Sequence, residues 1–80
     1  MNNTLLVAKS LKFAHLMRIA EGMSYKHESV TIKARGKQIQ RAVEVAVMMQ
    51  RRGRGTIDET KYGADDGEVH IPTICIHITV

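Results

Sequence analysis

Lys33, Arg35, Lys37 and Arg41 stand close together in the segment VTIKARGKQIQRAVEVA, residues 30–46. Cationic side chains grouped this way hold phosphate oxygens through charge-assisted hydrogen bonds. The spacing suits that role. Lys33 and Arg35 alternate onto one face of a strand, and Lys37 and Arg41 lie four residues apart on the helix that follows, so each pair shares a face. Gly36, between the pairs, admits a positive φ or lets a ligand approach the backbone closely. The helix N-terminus there adds unpaired backbone N–H groups and a partial positive charge, which favour an anion. Gly36-Lys37 does not make a nucleotide-binding P-loop. That motif needs a Gly where this chain has Thr31 and a Ser or Thr where it has Gln38.

Other chemistries find no comparable cluster. His15, His27, His70 and His77 are scattered without paired ligand spacing, and Cys75 with His77 on one strand face supplies two metal ligands, not four. No nucleophile, base and orienting residue come together in a recognisable arrangement, so the chain reads as non-catalytic, with no cofactor, metal or small-molecule substrate. Arg51, Arg52 and Arg54 end the second helix, where cations complement the helix dipole. The five Met are core and interface filler.

The charge distribution points the same way as the cationic turn. Residues 1–55 hold eleven Lys and Arg against three acids, and residues 56–80 hold one Lys against five, for a net charge of +4. A basic body with an acidic end suits a polyanion partner. Aromatic residues are few (one Phe, two Tyr, no Trp), so platforms for base stacking are scarce. Eighty residues make a single domain, 1–80, whose small core gains from association with a second copy. One Cys makes no intramolecular disulfide, which suits a reducing compartment. No apolar run is long enough to span a bilayer, and Met1-Asn2-Asn3-Thr4 does not read as a signal peptide. The expected setting is intracellular: cytoplasm or nucleoid in a prokaryote, nucleus or cytoplasm in a eukaryote.

The elements that must position the cations follow from hydrophobic periodicity. Asn3 to Ala8 is an apolar run of strand length. From Lys9 or Ser10 to Gly22 the chain reads as a helix, with Ser10 as N-cap, Phe13, Leu16, Met17 and Ala20 as its apolar stripe and Gly22 as its stop. Ser29 to Arg35 alternates cleanly, with Val30, Ile32 and Ala34 on one face. The second helix runs from Gly36 to about Arg52. Its stripe of Ile39, Val43, Ala46 and Val47 is widened by Val45, Met48 and Met49 beyond what one sheet face covers, which calls for a symmetric partner. Thr56 to Tyr62 is a strand candidate, residues 63–67 a turn by composition, and Val69 to Val80 the last strand, with Pro72 at an edge or bulge. The order β-α-β-α-β-β predicts an α/β two-layer sandwich, a mixed four-stranded sheet with both helices on one face. Its first two strands end on the same side, which brings Lys9 near Arg35.

With these residues in view, the chain resembles the Alba family of small basic nucleic-acid-binding proteins. The resemblance is carried by Ile32-Lys33-Ala34-Arg35-Gly36-Lys37, then Ile39 and Arg41-Ala42-Val43, and by the apolar strand from Asn3 that runs into Lys9. It implies the fold of the C-terminal domain of bacterial initiation factor three, assembled as a homodimer with a heterodimer as the secondary arrangement, and binding of double-stranded DNA, RNA or both, mostly without sequence specificity. Lys9 matches the lysine that members place on the phosphate backbone. Ser10 stands where many have a second lysine, with Lys12 as substitute, and Arg35 and Lys37 match the basic turn. Archaeal chromatin members extend the last hairpin as a basic arm. Here that stretch is short and carries Asp65, Asp66 and Glu68, which leaves room for an RNA-oriented member. An alternative is an assembly subunit of a ribonucleoprotein particle, as in ribonuclease P, with little nucleic-acid binding of its own.

Overall fold

A computed structural model describes residues 3–65 and 71–80. The element order is β1 (Thr4–Leu6), α1 (Phe13–Lys26), β2 (Ser29–Arg35), a 3-10 turn (Gly36–Gln38), α2 (Ile39–Arg51), β3 (Thr56–Asp65) and β4 (Ile71–Thr79). The strands form one sheet in the order β1-β2-β4-β3, with β1 parallel to β2 and β4 antiparallel to both its neighbours. This is the mixed four-stranded α/β sandwich expected from the alternation.

One face of the sheet carries the core. Leu5 and Val7, Val30, Ile32 and Ala34, and Ile74, Ile76 and Ile78 all bury toward the helices, where Leu16, Met17 and Ala20 of α1 and Ala42, Val45, Ala46 and Met49 of α2 meet them. Among the described residues no helix lies over the opposite face.

Local boundaries differ from expectation at four places. α1 starts at Phe13, with Lys12 at the N-cap and no side-chain cap, while exposed Ser10 lies in the turn closed by Leu11 N–H to Ala8 O at 3.2 Å. The helix also passes through Gly22 to Lys26, because Met23 packs on the core and the buried Ser24 hydroxyl donates to Glu21 O at 2.6 Å. On α2 the buried stripe is Ala42, Val45, Ala46 and Met49, which leaves Val43 38% exposed. Residues 63–65, read as part of a turn, continue β3, because Gly63, Ala64 and Asp65 pair with Thr73, Pro72 and Ile71. Asp66, Gly67, Glu68, Val69 and His70 lie outside the described residues. Pro72 falls beyond the pairing of β4 with β2, which ends at Arg35 and Thr73, so its missing N–H removes no bond on that side.

β3 contains a bulge. Ile57 pairs with Ile78 and Glu59 with His77, so Asp58 is an extra residue in the ladder. Its carboxylate is tied across the strand, accepting from Thr79 Oγ1 at 3.3 Å and lying 3.3 Å from His77 Nδ1. From Glu59 onward the bulge reverses which face each side chain takes. Lys61 therefore sits opposite Cys75, on the face without helices.

Candidate nucleic-acid interface

The parallel pairing of β1 with β2 brings both following connections to one end of the sheet. Leu6 pairs with Lys33, and the Val7 N–H donates to Lys33 O at 2.9 Å, so the loop carrying Lys9, Ser10 and Lys12 leaves beside the turn carrying Arg35, Gly36 and Lys37. Arg41 joins the two. Its Nη1 donates to Ala8 O at 3.1 Å and to Gln38 Oε1 at 2.9 Å. Arg41 is thus engaged in holding the loop, a role not visible in its spacing from Lys37.

Lys9, Ser10, Lys12, Lys33, Arg35 and Lys37 are exposed, and Gly36 and Arg41 are half-buried. Gly36 has φ +59°, in the left-handed region that Gly enters without strain. The helical run opens on its 3-10 turn, whose first intrahelical bond is Ile39 N–H to Gly36 O. The N–H groups of Gly36, Lys37 and Gln38 precede that bond, as anion binding at a helix start requires.

The open sheet face brings Lys61 beside Lys33 and Arg35. Leu6, Lys33, Cys75 and Lys61 form a row across all four strands, with Arg35, Thr73 and Gly63 beside it. They line a trough of about 580 Å³. Lys61 was missed by sequence reasoning. Counted in twos from the core residue Ile57, it falls on the helix side, and a lysine in that phase is itself the signal of a bulge.

The remaining arginines divide by contact. Arg52 forms an ion pair with Glu21 of α1, and the Arg54 guanidinium lies 4.5 Å from the centroid of the Tyr25 ring. Both join the two helix C-termini. Among the described residues no three His, Cys, Asp or Glu side chains gather as a metal site, and no helix is long and apolar enough to cross a membrane.

The Alba family model matches residues 3–64. The chain belongs to the Alba family. Among solved structures the fold is similar to ALBA1 from Trypanosoma brucei, with a TM-score of 0.87 at 18% identity over 96% of this chain and 68% of that one. It is also similar to Alba from Thermoplasma volcanium, with a TM-score of 0.84 at 22% identity over 98% of this chain and 100% of that one. No curated protein matches by sequence. Alba is generally a non-enzymatic binding fold, and membership points to nucleic-acid binding.

Proposed function

We propose that this Alba protein is a non-catalytic, intracellular homodimer that binds the phosphate backbone of double-stranded DNA or RNA, largely without sequence specificity. The observation that carries the reading is the junction of two cationic connections at one end of the sheet. Arg41 holds the Lys9 loop against α2 while Lys33 O holds the end of β1, so Lys9 and Lys12 share an edge with Arg35 and Lys37. Backbone-directed cations of this kind position a nucleic acid but carry little sequence information.

The dimer is supported by the apolar surface left outside the core. Val43 is exposed on α2, and Phe13, Val43, Val47 and Met48 line a groove of about 350 Å³. A second copy of the chain covers such a surface economically.

Binding is tested by titrating duplex DNA and duplex RNA at two salt concentrations, with and without Arg35→Glu plus Lys37→Glu. The affinity of the native chain falls steeply with salt, by about 0.9 in log–log slope for each phosphate neutralised on duplex DNA. The double reversal abolishes binding and leaves the dimer intact. A dimer that shifts neither duplex at low salt would instead be an assembly subunit of a larger particle.

A further inference from the structure

We propose that the open face of the sheet is a docking surface for single-stranded nucleic acid, continuing from the basic turn that meets duplex phosphates onto Lys61 of β3. This deepens the nucleic-acid reading and rests on it. Lys33 and Lys61 each pair with Cys75 from opposite sides, so their backbones stand two strand spacings apart, about 9.5 Å. Arg35 follows Lys33 on the same face, about 7 Å further along the strand. Three cations spread over such distances fit a chain of phosphates better than one compact anion.

Two carboxylates of β3 share this face: Asp58, which lies 3.3 Å from His77 Nδ1, and Glu59. The Glu59 carboxylate lies 3.7 Å from Lys61 Nζ, but both side chains are mostly exposed. Such a pair contributes at most about 1 kcal/mol, so a phosphate competes with it readily.

Shape selects the single strand. The trough lies within the size range of recessed ligand sites, about 300–1,000 Å³. Between Lys33 and Lys61 the row presents only Cys75, and beside it Gly63 faces Thr73 with no side chain of its own. β1 to β3 spans three strand spacings, about 14 Å. A rigid duplex meets cations on a projecting end, whereas a flexible single chain can settle into a recess. Tyr62 pairs with Ile74, on the helix side by register, and also lines the trough at its β3 edge, so contact is through phosphates and aliphatic surface such as Leu6, with Tyr62 at the margin. From Lys33 the path continues through Arg35 to Gly36 and Lys37, and a strand in the trough leaves at the basic turn.

Cys75 is the only cysteine of the chain and is half-buried in the trough floor, which makes it a footprinting probe in the unmodified protein. Its alkylation by iodoacetamide is followed with saturating oligo-dT, with duplex DNA at equal phosphate concentration, and with poly-glutamate. The single strand slows the reaction at least fivefold, and the duplex and the peptide each slow it less than twofold. In parallel, Lys61→Glu, which lies outside the basic turn, weakens oligo-dT binding at least fivefold and changes duplex affinity less than threefold. Failure of oligo-dT to bind, unshielded Cys75 in its complex, equal shielding by poly-glutamate, or equal loss of both nucleic acids in the Lys61→Glu variant overturns the proposal. Duplex binding that responds to Arg35→Glu plus Lys37→Glu keeps the broader reading when this one fails. Absence of binding to any nucleic acid defeats both.

Discussion

The Arg41 guanidinium and the Ala8 carbonyl are held 3.1 Å apart, linking the first turn of α2 to the loop after β1. The same nitrogen also donates to Gln38 Oε1. A side chain that looks like one more phosphate contact therefore also orders the lysines around it.

Arg41→Lys separates those two roles. It keeps the charge but lacks the planar fork that serves two acceptors. We expect a loss of about 1 kcal/mol in stability, faster amide exchange around Leu11, and several-fold weaker duplex binding despite unchanged net charge. Binding equal to that of the native chain would show that the loop needs no such tie.

Two glycines differ in what they tolerate. At Gly36 an added Cβ meets Ile71 Cγ2 at 3.5 Å, an ordinary contact, so Gly36→Ala costs only the strain of φ +59°, about 1–2 kcal/mol. At Gly55 an added Cβ lies 2.6 Å from Ile78 Cγ2 and 3.1 Å from Thr79 O. Ile78 is fully buried, so it shifts only at the expense of core packing. Gly55→Ala is therefore the more damaging of the two in thermal unfolding.

Val43→Asp tests the dimer without touching the core. Sedimentation is expected to shift to monomer at concentrations where the native chain is dimeric, while helix content is retained. A fully dimeric variant would move the interface away from this face of α2.

The arginines at the end of α2 are expected to act on stability. Arg52→Ala removes an exposed ion pair and Arg54→Ala a cation–π contact, each worth about 1 kcal/mol or less. Duplex affinity should stay within twofold in both. A larger loss would place a second phosphate contact at this end of the molecule.

The parts of this fold legible in the sequence are those set by local alternation. β2 matches Ser29 to Arg35 because every second residue there is apolar and one face is buried. The cationic turn at Gly36 was equally plain, since its residues are contiguous. What escaped depends on distant partners. The loop from Ala8 to Lys12 stays out of α1 while Arg41 holds its carbonyl, and β3 runs past Gly63 because β4 completes the ladder there. Lys61 escaped for the same reason, since a bulge is a property of two paired strands and not of one.

The extra residue at Asp58 makes the hairpin a parity device. Side chains alternate with a period of two, so the number of residues between Gly55 and Lys61 decides the face on which that lysine emerges. Removing one residue from this span exchanges the faces of Thr60 and Lys61 and strips a positive charge from the open sheet, with the rest of the composition unchanged. Insertions and deletions in β3 therefore act on the electrostatics of that surface as strongly as a charge substitution. Two chains with this fold and the same count of lysines can present sheets of different charge.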